Sequence, residues 1–374
     1  MVEKIKELKA QLEAAQRISA ANMYTADFVR KTQSFERLYN VRACEFDTLV
    51  STLKGEILPS NFGIKITNYS IDDYVVWFLA YVTGAVRSYD ALASTLSLTG
   101  ATIHAEQVRR KVEWVAQFGA KNLKKKFIKF PTKKQMEEES RQILSDNEQL
   151  EFLAGKMVFI IDGTGINIYS PGDSRLRRFT WCWYKHKPQI RMQVVCTLSG
   201  SAVYVSPYTQ GHIGDSEALE EDAKNEKNNF YYFFSQSYHD LKKPNEKKNK
   251  SKSRKLMEFN AFLPGDKGYG KIYPPQELGV VFTSSARGEN VDGARYIDKE
   301  QRDVQIFTHE NIAQYRTLIE RVFGRVLNAA RWLLLPLPVS QKQLAYEVWI
   351  IFFVLQIWSL KTIYQFLVMI TILT

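Results

Sequence analysis

Residues 156–162 read Lys-Met-Val-Phe-Ile-Ile-Asp, an unbroken apolar run of strand length that stops at an acid and is followed by Gly163, Thr164 and Gly165. Consecutive rather than alternating apolar positions belong to a strand buried on both faces, so the chain must supply layers above and below it. Further strand patterns follow at 190–198 (IRMQVVCTL), 202–206 (AVYVS) and 279–285 (GVVFTSS), and then a long helical pattern at roughly 311–333. Strands first and then a helix predict a mixed α/β fold, in which helices cover a mixed sheet. On this reading Asp162 emerges at the C-terminal edge of its strand, where the glycines turn the backbone.

Upstream the periodicity is helical. Ile5, Leu8, Leu12 and Ala15 recur at heptad-like spacing, which predicts an amphipathic leader helix over 1–20. Residues 21–120 predict a helical domain. Within it, a helix ending near Leu98, a short turn at Thr99–Thr102 and a second helix from Ala105 carrying Arg109, Arg110 and Lys111 form the outline of a helix-turn-helix. A plain bundle with a basic surface helix has the same outline. Residues 121–150 read as a basic linker, since 121–134 (KNLKKKFIKFPTKK) holds seven lysines and no acid. The strand-rich core is expected over 151–340, with 221–258 as a polar, lysine-rich insertion of loop character. An apolar helical segment occupies 341–374.

The net charge of +11 and a pI near 9.3 point to a polyanionic partner, nucleic acid first and an anionic membrane surface second. Cys44, Cys182 and Cys196 form no CxxC pair, which argues against a zinc knuckle or redox dithiol and fits a reducing compartment. The N-terminal MVEKIKELKAQLEAAQ is charged throughout, unlike a secretory signal. Residues 348–374 are strongly apolar, but Lys361 divides them into runs shorter than the roughly 20 residues a span needs. A buried helix closing the strand-rich core is the expectation, and a membrane role the minor alternative.

Three carboxylates stand where phosphodiester chemistry would need them. Activating a water and stabilising a leaving oxygen suit two divalent ions held by hard oxygen ligands from distant parts of the chain. Besides Asp162, Asp266 lies in LPGDKGYG between glycines, and Glu320 sits in QYRTLIERVFGRVLNAARW on an amphipathic helix whose apolar face is Ile319, Val322, Phe323 and Val326. Asp215, in GHIGDSEAL, is a fourth acid: either a supporting residue or N-cap for a helix beginning at Ser216, or the metal ligand in place of Asp266. His186, between Lys185 and Lys187, and Trp181 and Trp183 before it, are either DNA contacts or an ordinary aromatic hairpin surface.

The ordered set "DGTG", "GDKGY" and "R-x-x-x-E-R-x-F-G-R", with the intervening WYKHKPQIRMQVVCTLSGSAVYVSPYTQGHIGDSEAL, resembles the motif blocks of PIF/Harbinger-like DDE transposases over roughly 155–335. The resemblance implies an RNase H-like core in which Asp162, Asp266 and Glu320 are catalytic and bind two Mg2+ or Mn2+ ions. It implies an endonuclease that cuts transposon ends and joins the freed 3′-hydroxyl to target DNA, in the nucleus, as a homodimer or higher oligomer, with no small-molecule cofactor. A separate DNA-binding partner protein is compatible with it. So is a host-adapted DNA-binding protein that no longer cuts. The basic residues expected against double-stranded DNA are Arg109, Arg110, Lys124, Lys125, Lys126, Lys185, Lys187, Arg316, Arg321 and Arg325. Arg316 shares a helix face with Glu320 and either binds phosphate or pairs with the acid.

Overall fold

The computed structural model describes residues 2–56, 69–98, 102–145, 148, 150–225, 229–238, 261–265, 269, 280–283, 316–317 and 319–373. They divide into a helical unit, 1–126 with 325–374, and a sheet unit, 127–324.

The helical unit contains α1 (Val2–Asn22), α2 (Ala26–Thr32), α3 (Phe35–Tyr39), α4 (Ala43–Leu53), α5 (Ile71–Val82), α6 (Tyr89–Ser97) and α7 (Ala105–Phe127). Ser70 caps α5 by accepting from the Asp73 N–H, and the Asp73 carboxylate answers on the Ser70 N–H, so two orphan donors are satisfied at once. Every residue from Asp73 to Val82 is buried, which makes α5 a core helix rather than an amphipathic one. At Gly119 of α7 an added Cβ would stand 3.0 Å from Leu49 and 3.1 Å from Ile351, so the missing side chain lets three helices approach closely.

The C-terminal helix, here α13 (Lys342–Leu373), is counted with this unit. It was expected to close the strand-rich core. Instead Val348 to Leu355 are buried within the helical unit, with Phe352 packing on Phe78 at 6.5 Å between ring centroids. Among the described residues no helix is long and apolar enough to cross a membrane. The expected basic linker is also different: 121–127 form the last turns of α7, and α8 (Lys133–Leu144) follows with a Thr132–Gln135 capping box. Met136 of α8 is buried in the sheet unit's core and Phe130, within the lysine run, packs against that core, so the segment read as a basic linker has an apolar side.

The sheet unit continues with β1 (Met157–Asn167), α9 (Ser174–Thr180), β2 (Trp181–Cys182), β3 (Lys187–Thr197), β4 (Ala202–Val205), β5 (Thr209–Gln210), α10 (Asp215–Ala223), α11 (Phe230–Ser237), β6 (Ala261–Pro264) and β7 (Val280–Thr283). A helix over 319–329, α12, begins in this unit. The strand order is β2-β3-β1-β6-β7, with β4 and β5 also pairing with β3. β1 is antiparallel to β3 and parallel to β6, and β6 is parallel to β7. This is a mixed α/β architecture with an RNase H-like core, as expected.

One face of β1 builds the core. Met157, Phe159 and Ile161 join Val195, Leu219, Phe230, Phe234, Tyr238, Ala261 and Leu263 there. Three of those residues fall in the segment read as a loop-like insertion. Phe230, Phe234 and Tyr238 recur every four residues, a helical period hidden within a polar stretch, and they seat α11 on the sheet. Residues 239–260, including the basic cluster at 242–255, lie outside the described residues.

Candidate active site

β1 does not stop at Asp162. It runs on through Gly163, Thr164 and Gly165 to Asn167, because the antiparallel partner β3 keeps pairing, with Asp162 opposite Val194 and Gly165 opposite Arg191. The glycines serve close packing here. A Cβ on Gly163 would lie 2.7 Å from an Asp215 carboxylate oxygen and 3.3 Å from Arg191 Nη2, and one on Gly165 would lie 2.8 Å from the Gln189 side chain.

Strand alternation then sorts the acids by face. Phe159, Ile161, Gly163 and Gly165 share one face with their partners Gln193 and Arg191, whereas Ile160 and Asp162 share the other with Cys196 and Val194. Asp162 is half-buried and its Oδ1 accepts from the Gly163 N–H at 2.8 Å. Burial, and after it the charge of Asp162, push the Cys196 thiol well above the ordinary thiol range. This thiol is a protonated wall of the Asp162 environment.

Asp215 belongs to the opposite face. It is the first residue of α10, with Gly214 in the cap position, so the expectation that it caps a helix beginning at Ser216 is replaced by a different role. Its carboxylate takes a short charge-assisted bond from Arg191 Nη2, both side chains being 17 % exposed. Arg191 Nη1 donates to the Ile213 carbonyl at 2.9 Å, and Gln193 Nε2 donates to the Asp215 carbonyl. Two polar side chains of β3 thus fix the N-terminus of α10 to the sheet. Neither was singled out from the sequence, although a charged residue inside the apolar run IRMQVVCTL was a signal for an inward-facing pair.

The second expected ligand, Asp266, lies outside the described residues, of which Gly265 is the last before it. Glu320 is exposed on α12, next to Ile319, Val322, Phe323 and Val326, which are buried as the sequence implied. Among the described residues no group of three or more His, Cys, Asp or Glu side chains is placed to hold a metal ion. The proposed trio includes a residue outside that set.

The expected DNA contacts divide by environment. Arg109 is bonded to Glu106 and Glu113, and Arg110 to Glu106, all along α7. These two arginines hold the Glu106 carboxyl down at about 2. Lys111 is buried, 4 % exposed, with its ammonium 5.1 Å from the Tyr74 ring centroid, so it is not a surface cation. Lys124 donates to the Tyr346 hydroxyl at 3.3 Å, while Lys125 and Lys126 are exposed. Lys185 and Lys187 are exposed at the β2–β3 turn. On α12, Arg321 and Arg325 are exposed. Arg316 is half-buried, and its Nε has no hydrogen-bond partner among the described residues.

No curated protein and no solved structure matches this chain. The family model described as DDE superfamily endonuclease matches residues 161–356, more than half of the sequence, beginning one residue before Asp162 and including β1 past that point, β3, α10, β6, β7 and α12. The chain therefore belongs to the DDE superfamily endonuclease family.

Proposed function

We propose that this protein is a PIF/Harbinger-like DNA transposase that cleaves phosphodiester bonds at element ends and joins the 3′-hydroxyl to target DNA, with Asp162, Asp266 and Glu320 as its acidic triad. The observation that carries the aspartate pair is an offset. Met157 pairs with Ala261 and Val158 with Phe262, so each partner number exceeds its β1 number by 104. Gly265 sits against Ile161, its would-be Cβ 3.0 Å from the Ile161 side chain, at the same offset. In the sequence Asp266 stands 104 positions after Asp162. Residues at a constant offset in parallel strands are level and share a face, which supports placing both carboxylates on the face opposite the Phe159–Ile161 core.

The donor set consists of hard carboxylate oxygens, with no histidine or thiolate needed, and suits Mg2+ or Mn2+. Two such ions, when bound, would lower the pKa of a water and stabilise the leaving oxygen. The chain's own residues supply the rest. Asp162 and Asp266 would hold the ions from the sheet, and Glu320 would close the set from α12, where the buried Ile319 and Val322 anchor the helix beneath it. Lys185, Lys187, Arg321 and Arg325 neutralise phosphates along the bound duplex. Arg109 and Arg110 join them by exchanging Glu106 for phosphate. The reading extends to a nuclear, oligomeric protein.

The test is nicking of supercoiled plasmid in Mg2+ or Mn2+ by the parent, Asp162→Asn, Asp266→Asn and Glu320→Gln, with duplex binding measured beside it. Cutting by the parent alone, lost in EDTA, is the expected result. Binding without cutting by the parent would favour a host-adapted DNA-binding protein.

A further inference from the structure

The β2–β3 turn carries an arrangement that the acidic site does not use. Trp181 pairs with Pro188 and Cys182 with Lys187, leaving a four-residue tip, Trp183 to His186, closed by His186 in the left-handed region at φ 52°. Trp183 is 68 % and Tyr184 78 % exposed, more than any other large apolar side chain among the described residues. Two adjacent rings at a turn tip have no core to fill. Trp183 is braced edge-on by Trp181, with ring centroids 6.4 Å apart and planes at 76°, and the Lys185 ammonium lies 4.8 Å from the Tyr184 ring centroid.

The charge around the tip is one-sided. From Ser174 through Gly214 the sequence has no Asp or Glu, while it has Arg175, Arg177, Arg178, Lys185, Lys187 and Arg191. Arg191 is held by Asp215, and Arg177 by the carbonyls of Pro171 and Gly172. Arg175, Arg178, Lys185 and Lys187 are all exposed. The Ile168 N–H donates to the Pro188 carbonyl, so β1 delivers the 58 % exposed Tyr169 to the same end of the sheet.

We infer that this tip is a stacking platform for an unpaired nucleobase of the DNA, with Trp183 and Tyr184 taking the base and Lys185 and Lys187 the flanking phosphates. The inference rests on the DNA-cutting reading above. Exposed rings among cations are what single-stranded nucleic-acid surfaces combine, whereas the centres of protein interfaces are poor in lysine. A base inside a duplex has both faces covered by its neighbours, so only a frayed or flipped base can stack on a side chain. The platform is also separate from the acids. Lys187 precedes Val194, the partner of Asp162, by seven strand positions, about 24 Å at strand rise, or on the order of seven nucleotides of one DNA strand.

The test uses the full-length protein in EDTA, to prevent cutting, and two fluorescein-labelled DNAs. One is fully paired, and the other ends in a short single-stranded fork carrying 2-aminopurine. The parent should prefer the fork and quench 2-aminopurine. Trp183→Ala/Tyr184→Ala should lose about tenfold on the fork and less than about twofold on the paired duplex, without quenching, while Trp183→Phe should retain most fork affinity. Unchanged melting by circular dichroism confirms that the exposed tip was altered without unfolding the sheet. Equal losses on both DNAs, or none on the fork, would overturn the platform. So would intact fork binding with a changed oligomeric state by light scattering, which would make the tip a contact between copies. A parent that cuts plasmid while the double variant binds the fork normally rejects the platform alone. A parent that binds neither DNA takes the DNA-cutting reading down with it.

Discussion

The Asp215 carboxylate lies over Gly163, on the face of β1 opposite the one from which Asp162 projects, and is held there by Arg191. Asp215, which the sequence offers as a metal ligand in place of Asp266, is engaged with Arg191 on that face. Asp162, proposed above as a catalytic acid, faces away from that ion pair. Asp215 ties the start of α10 to β3, where its negative charge also suits the helix N-terminus.

These roles predict a split between the acids. Asp162→Asn should lower metal-dependent plasmid nicking by at least about a hundredfold while leaving the melting temperature almost unchanged. Asp215→Asn should retain nicking to within about tenfold, as expected of an indirect support, but lower unfolding free energy by about 1–3 kcal/mol through loss of a charged hydrogen bond. Calorimetric Mn2+ titration beside urea unfolding reads both. Loss of Mn2+ binding in Asp215→Asn at unchanged stability would return Asp215 to the metal site.

Glycine substitutions should rank by what the new methyl group meets. At Gly211 a Cβ would run into the backbone carbonyls of Thr180 and Gln189, which cannot yield without moving two elements, whereas at Gly172 nothing stands within 4 Å. Gly163 is intermediate, its obstacles being the Asp215 and Arg191 side chains. Urea unfolding should place Gly211→Ala as the most destabilised, by about 3 kcal/mol or more, Gly163→Ala at about 1–3 kcal/mol and Gly172→Ala within about 0.5 kcal/mol of the parent.

Burial, helped by the charge of Arg110, pulls Lys111 down to about 8 in the folded protein. An unfolded lysine titrates near 10.4. Between those values the unfolded chain binds more protons, so Lys111 makes stability rise with pH from about 8 to about 10.4, and its penalty is fully present below 8. Lys111→Met should be more stable than the parent at pH 7.5, and the difference should shrink as pH rises towards 10. A pH-independent difference would mean that Lys111 keeps its ordinary affinity for protons in its place beside Tyr74.

The ion pairs on α7 give a test of the helix-turn-helix reading. Glu106 occupies both Arg109 and Arg110. If α7 faces DNA, Glu106→Gln releases Arg110 towards phosphate and leaves Arg109 with Glu113 alone, and duplex affinity should rise about threefold with the salt slope steeper by about 0.9 for each added contact. An unchanged slope would remove this helix from the interface.

Much of the sheet was legible because burial writes itself into consecutive apolar letters. KMVFIID, IRMQVVCTL, AVYVS and the Val280–Thr283 stretch of GVVFTSS contribute strands to one mixed sheet, and Ile319, Val322, Phe323 and Val326 are buried on α12. The motif blocks around Asp162 and Glu320 led to the family for the same reason, since they are local strings. What was not legible depends on partners distant in sequence. β1 passes through Gly163 and Gly165 because β3 pairs beside it, a fact that no turn propensity at Asp-Gly-Thr-Gly contains. Phe230, Phe234 and Tyr238 look like stray aromatics in a polar insertion until the sheet offers a face for them to cover. The apolar C-terminal helix could serve any core, and only packing assigns Val348 to Leu355 to the helical unit. The faces that Asp162 and Asp215 occupy followed from strand parity and a cross-strand arginine. The sequence alone determines which residues avoid water and which carry charge, because those are properties of single side chains. Tertiary structure decides which face each one reaches, because a strand's alternation acquires meaning only once a neighbour fixes its register.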